Sequence, residues 1–184
     1  FFYQLYFLNE GIAEAEFEKD LARSLFLIYT SVDARGIKQR SSQSGSGFMG
    51  HKPITAGLLD GLHAFESFPD WFSQSDLDYL VSQFTLSGKR GPYNRYRAQN
   101  IDWHELAHLE GALIEQPAFF ITGELDLVSQ FVPLSTSFID HIKHNYRNLI
   151  MAEELPNVGH WTAEEAPEAV NRIILQFLSG IEHG

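Results

Sequence analysis

Pro117-Ala118-Phe119-Phe120-Ile121-Thr122-Gly123 is a continuous apolar run that closes on a glycine. It does not alternate, so it suits a strand buried on both faces, as in a parallel sheet. Downstream, a helix fits 133–145, a second short strand 148–152 and a final helix 163–179. Strand, helix, strand, loop, helix is an α/β order. Two strands are too few for a doubly wound sheet, which needs further partner strands and helices on both faces. The chain also starts on Phe1 and not on methionine, so the expectation is a C-terminal piece of a longer protein.

Upstream of the apolar run the pattern is helical. Phe17, Leu21, Leu25 and Ile28 recur at three- and four-residue steps and, with Ile12 ahead of them, predict an amphipathic helix over 12–29. Residues 31–69 break that period, with a low-complexity loop at 41–47 and punctuation by Pro53, Gly57, Gly61 and Pro69. A helix is predicted over 74–87, with Ser73 as N-cap, Asp76 in its first turn and Gly88 as its end. Another follows Gly91-Pro92 and runs to about Leu109, the proline being tolerated in a first turn. No internal repeat is present. The chain therefore divides into a helical part, 1–110, and an α/β part, 111–184.

Composition narrows the function classes. The 184 residues are 44% hydrophobic, enough for a sizeable core. Thirteen basic against 24 acidic residues give a net charge of −11, which argues against a nucleic-acid backbone as partner. With no cysteine, disulfides, thiolate chemistry and cysteine-ligated metals are excluded, and a cytoplasmic location fits. No apolar run reaches the ~18 residues of a membrane span, and the aromatic start Phe1–Phe7 lacks the basic residues of a signal peptide.

Two positions carry candidate chemistry. Asp126 stands three residues beyond the glycine that closes the first strand, and His160 follows Gly159 in a loop that opens the last helix. Taken singly, the first reads as a surface-turn aspartate and the second as a structural histidine. Taken together, an acid followed by a histidine at successive strand ends matches the order nucleophile, acid, base of α/β hydrolases. A carboxylate holds an imidazole in one tautomer, which lets it act as a base near neutral pH. No nucleophile motif accompanies them: Gly57 and Gly61 have the spacing of G-x-[S/D]-x-G, but Leu59 lies between. A competing motif is His104-Glu105-Leu106-Ala107-His108, formally H-E-x-x-H, where two histidines four apart can hold zinc with the glutamate as base. A metzincin would place a third histidine at 114, where Ile114 stands. Tyr3, Tyr6, Tyr93 and Tyr96 sit at helical spacing and by physics alone read as amphipathic core.

These residues together resemble a family. Tyr3-Gln4-Leu5-Tyr6-Phe7 with Gly11-Ile12-Ala13-Glu14-Ala15-Glu16, then Ser87-Gly88-Lys89-Arg90-Gly91-Pro92 through Asn94-Arg95-Tyr96-Arg97, resemble two segments of the cap of α/β-hydrolase-fold epoxide hydrolases. Pro117–Val128 resembles that family's acid-bearing strand, and Gly159-His160-Trp161-Thr162 with Val170-Asn171 its histidine loop and last helix. Residues 31–70 do not align with it, Arg95 stands where the family often has tryptophan, and Glu10 where it often has proline. The resemblance implies a partial α/β-hydrolase fold: a helical cap over 1–110 and the last two strand–helix units of the core over 111–184.

It also implies a reaction. An aspartate attacks the epoxide carbon and forms an ester, and histidine activates water to hydrolyse the ester to a vicinal diol. By position, Tyr3 and Tyr96 would bind the epoxide oxygen, Asp126 would be the acid and His160 the base. The resemblance calls for no cofactor or metal, names a small epoxide and water as partners, and leaves homo-oligomerisation open. Lacking the nucleophile, the 184-residue chain alone is expected to be inactive. A haloalkane dehalogenase or serine esterase would share Asp126 and His160 without needing both tyrosines. Two further alternatives are a zinc protease acting through His104, Glu105 and His108, and a non-catalytic binding protein built on the same fold.

Overall fold

A computed structural model of the chain describes residues 2–41, 52–53, 55–132 and 136–181. The low-complexity loop at 41–47 lies outside them beyond Ser41, as does the predicted helical start at 133–135. The chain forms two compact units: Phe1–Ser31 with Gln39–His108, and Val32–Lys38 with Leu109–Gly184.

The first unit is helical. Its elements are α1 (Tyr3–Phe7), α2 (Ile12–Glu18), most of α3 (Leu21–Val32) and the end of α4 (Ala34–Ser41), then α5 (Gln74–Ser87), α6 (Arg90–Arg97) and α7 (Gln99–Glu105). The single helix predicted over 12–29 is two, because the Asp20 carboxylate accepts the Arg23 N–H at 3.0 Å and caps a new start. The helix predicted to follow Gly91-Pro92 begins at Arg90, ends at Arg97 and resumes as α7, with a 3₁₀ turn over Ala107–Leu109. Helix α5 has the predicted bounds: Ser73 accepts the Asp76 N–H, Asp76 returns the bond to the Ser73 N–H, and Gly88 ends the helix at φ 68°. Helix α4 falls in the stretch read as non-helical. Asp33, immediately before it, accepts the Gly36 N–H at 2.6 Å and supplies the start.

Among the described residues, two hydrophobic clusters hold this unit. Phe7, Ala13, Phe17, Leu58 and Tyr93 are buried together, with Tyr3, Tyr6 and Tyr96 packed against them. Phe7 lies 4.7 Å from Tyr93, nearly parallel, and 4.8 Å from Tyr96. Leu25, Phe72 and Leu77 form the second cluster, ringed by Phe26, Tyr29, Phe68 and Trp71.

The second unit is α/β. Strands β1 (Ala118–Gly123) and β2 (Leu149–Leu155) pair in parallel, with a register shift between Ala118 and Phe119. Parallel pairing requires a crossover, and it contains α8 (Phe138–Ile142) followed by a 3₁₀ turn over Lys143–Asn145. After β2 come α9 (Thr162–Glu165) and α10 (Pro167–Ile181). These two stand where one helix over 163–179 is predicted. The break falls at Pro167, which has no N–H to donate and is accommodated at a first helical position. Leu155, Val158 and Ile173 form the core, with Phe119, Ile121 and Met151 against it. The both-faces burial expected of β1 holds only at its end: Thr122 and Gly123 are buried, while Ala118–Ile121 are half-buried. β1 has one strand neighbour among the described residues, and so lacks the cover a central strand receives. No helix among the described residues is long and apolar enough to cross a membrane.

Candidate active site

Asp126 is placed by the end of β1. Past Gly123 the chain turns over a bond from the Asp126 N–H to the Gly123 carbonyl at 3.0 Å, and Asp126 caps the 3₁₀ turn Leu127–Phe131 by accepting the Val128 N–H at 2.9 Å. His160 is placed by the loop after β2, where its own N–H donates to the Val32 carbonyl at 3.0 Å. Two glycines allow this approach. A Cβ on Gly123 would stand far inside contact distance of the Val158 and Gly159 carbonyl oxygens, and one on Gly159 would meet the backbone of Asp33 and Ala34.

The two side chains meet: His160 Nδ1 lies 3.0 Å from Asp126 Oδ1. A carboxylate only accepts, so Nδ1 carries the proton and Nε2 keeps its lone pair. The bond to Asp126 raises the His160 pKa above its ordinary value, against the opposing effect of burial. The carboxylate is sheltered, at 12% side-chain exposure, and the imidazole is open at 38%. Such a pair is built to accept a proton from a group brought to Nε2.

Glu165, at the end of α9, was not legible as a site residue. Its Oε2 accepts the Gly159 N–H at 3.0 Å and the Ala34 N–H at 2.9 Å, and its Oε1 accepts the Trp161 N–H at 3.1 Å. Burial raises its carboxyl above the usual carboxylate range, against the lowering effect of those three bonds. The available signal was Thr162-Ala163-Glu164-Glu165, a capping-box pattern.

Tyr3 and Tyr96 are brought together in the other unit, their rings 5.9 Å apart and edge to face. Burial, with Tyr3 nearby, raises the Tyr96 pKa, so its hydroxyl stays a neutral donor. Arg97 ties their two helices: its Nε donates to the Phe7 carbonyl at 2.8 Å, and its Nη1 and Nη2 reach Glu14 at 2.7 and 3.1 Å. Tyr6 is committed elsewhere, donating to Glu16 at 2.6 Å. The zinc reading gains nothing. Helix α7 ends at Glu105, so His104 and His108 do not share an unbroken helix, and His108 Nδ1 lies against the Glu105 carbonyl. Among the described residues no three metal-ligating groups gather.

Comparison with known proteins supplies the setting. No family model matches the chain. It is 34% identical over 182 residues to epoxide hydrolase A of Mycobacterium tuberculosis, covering 99% of this chain and 53% of that protein. It is 29% identical to bifunctional epoxide hydrolase 2 of Rattus norvegicus, covering 97% of this chain and 29% of that one. Among solved structures, an epoxide hydrolase from an endophytic Streptomyces superposes with a TM-score of 0.87 at 32% identity, over 100% of this chain and 53% of that one. Epoxide hydrolase A of Mycobacterium thermoresistibile gives a TM-score of 0.79 at 31% identity, over 98% and 52%. The chain spans about half the length of the curated relatives it matches first, and corresponds to their C-terminal half. The chain thus resembles the C-terminal part of α/β-hydrolase epoxide hydrolases and carries a partial α/β-hydrolase fold.

Proposed function

We propose that this chain supplies the second half of an epoxide hydrolase: the base that hydrolyses a covalent ester and the donors that bind the epoxide oxygen. The observation that carries the reading is the His160–Asp126 bond, which leaves Nε2 as the free base. Tyr3 and Tyr96 hydrogen-bond the oxygen as the ring opens and stabilise the alkoxide. The nucleophilic carboxylate comes from outside these 184 residues, which hold no G-x-[S/D]-x-G. It attacks the epoxide carbon, and the C–O bond breaks toward the tyrosines. The epoxide-derived alkoxide takes a tyrosine proton. His160 then takes a proton from water as the water oxygen attacks the ester carbonyl, and returns that proton to the leaving oxygen as the ester bond breaks. The diol leaves, the carboxylate is regenerated and the second water proton restores the tyrosine. Asp126 holds the imidazole and balances its charge while it is protonated.

In this reading residues 1–110 form the cap and 111–184 the end of the hydrolase core. The division of the chain near His108 supports it, although Val32–Lys38 falls with the second unit. The partners in this reading are a small epoxide and water, without a cofactor, and the location is the cytoplasm.

The test is turnover of an epoxide to its diol. The chain alone is expected to show none, and the chain joined to an N-terminal hydrolase half bearing G-x-D-x-G is expected to show it. In the joined protein His160→Gln should leave the ester trapped, detectable as added mass, and Tyr3→Phe or Tyr96→Phe should slow its formation by about 10²-fold or more. Diol formation by the chain alone, abolished by His160→Ala, would overturn the claim that the nucleophile lies outside it.

A further inference from the structure

The loop that carries His160 is held on both flanks by a single side chain. Gly159 precedes the histidine and Trp161 follows it, and both N–H groups donate to Glu165, at 3.0 and 3.1 Å. The same carboxylate accepts the Ala34 N–H at 2.9 Å. The histidine's own N–H goes to the Val32 carbonyl at 3.0 Å. Segment 32–34 and loop 159–161 are therefore joined by one direct bond and one shared carboxylate. Gly159 has no room for a Cβ between the Asp33–Ala34 backbone and Glu165, so the loop has little freedom to shift without breaking these bonds.

We propose that Glu165 is the positioning residue of the histidine loop, its carboxylate fixing the backbone on either side of His160 so that the imidazole stays aimed at Asp126. That the aim serves catalysis rests on the reading of His160 as the base; the aiming itself does not. A carboxylate suits the task because it is acceptor-only, with two oxygens able to take three N–H groups at once. An amide of the same size would turn an NH₂ group toward at least one of these donors. The negative charge has a second effect, since Glu165 also favours the protonated form of His160. The other carboxylates that bear on this pair are Asp126 on His160 and Asp33 on Glu165.

The experiment compares the chain with Glu165→Gln and Glu165→Asp by amide exchange and by titration of the His160 ring, both read by NMR. In Glu165→Gln, exchange at Gly159 and Trp161 is expected to accelerate about tenfold or more, and the His160 pKa to fall by about half a unit or more. Exchange at Ile173 in α10 should be unchanged, which separates loss of positioning from general loss of packing. Glu165→Asp, which keeps the charge and the acceptor-only oxygens, should recover part of both effects. Unchanged exchange at Gly159 and Trp161 in Glu165→Gln, or equal effects of Gln and Asp, would overturn the proposal. If Glu165→Gln loses its cooperative melt, Glu165→Asp decides against the native chain. Faster exchange at the two flanking amides alone upholds the proposal, and unfolding or no change overturns it. Epoxide turnover does not enter these readouts, so failure here leaves the epoxide hydrolase reading standing, and failure of that reading leaves this result intact.

Discussion

His160 Nδ1 and Asp126 Oδ1, 34 residues apart in sequence, lie 3.0 Å apart, and that bond joins the loop after β1 to the loop after β2. Asp126 Oδ1 also accepts the Val128 N–H at 2.9 Å, so one oxygen caps a turn and orients an imidazole. The parallel pairing of the two strands puts both loops at the same edge of the sheet, the usual place for function in open α/β sheets.

Asp126→Asn should lower the His160 pKa. The hydrogen bond to Asp126 is the largest cause of its rise above 6.5, and burial acts the other way. With the folded value raised, the pair stabilises the fold fully below about pH 6.5, and that contribution is lost as pH rises through the folded-state pKa. Asparagine retains an acceptor for the Val128 N–H, so the turn should survive. NMR titration of the imidazole checks this: the variant should titrate below the native chain, and its stability should lose the extra decline with rising pH. An unchanged His160 pKa would refute the coupling.

Gly123→Ala should destabilise the chain by about 1–3 kcal/mol. A Cβ there would run into the Val158 and Gly159 carbonyl oxygens, which are backbone and cannot swing aside. Relief requires moving the His160 loop away from β1, so the His160 pKa should fall with the stability. Gly91→Ala is the control, since nothing lies within 4 Å of its added carbon. In the first turns of α6 it should be neutral or stabilising by about 0.5–1 kcal/mol. Urea unfolding of the two variants gives the contrast.

How much of this was legible follows from which interactions are local. The Ser73 and Asp76 cap is written in four consecutive residues, and α5 has its predicted bounds. The apolar run at 117–123 announces β1 because a strand near a core needs a continuous apolar sequence. Asp20 breaks one predicted helix into two through a single side-chain bond, which hydrophobic period does not register. Helix α4 was hidden because its start depends on Asp33 in a stretch without a clear period. Asp126 and His160 were readable from their places after glycine-closed elements. Glu165 was not, since its bond to Ala34 crosses 131 positions and only the fold brings them together.

Arg97→Met should cost about 2–3 kcal/mol, because it removes both bonds to Glu14 and the bond to the Phe7 carbonyl and leaves the Glu14 carboxylate sheltered without its cationic partner. Arg97 is the chief cause of the lowered Glu14 pKa. A lowered carboxylate pKa gives stability that is present above the unfolded value, about 4.5, and is lost as pH falls through the folded value. The variant should therefore be less stable at pH 7 and show less further loss on acidification. Guanidinium unfolding between pH 7 and pH 3 measures both. Equal acid sensitivity in the two proteins would show that the pair is not responsible.

Lys89→Met should stabilise the chain at neutral pH. Lys89 is 5% exposed, with its Nζ 3.3 Å from the Phe84 ring centre and 5.6 Å from that of Phe17. The rings attract the ammonium, and Glu18 favours its charge, yet burial outweighs both and pulls its pKa down to about 8. Between pH 8 and the unfolded value of 10.5 the unfolded chain binds more protons than the folded one, so stability rises with pH across that window. Below it the cost of the buried charge is fully felt. Methionine fills a similar volume, keeps contact with both rings and carries no charge, so a gain of about 1 kcal/mol at pH 7 is expected. The gain should shrink as pH rises from 8 toward 10.5. Thermal unfolding of both proteins across that range checks it. A variant less stable than the native chain at pH 7 would mean that the ring–ammonium attraction exceeds the desolvation cost.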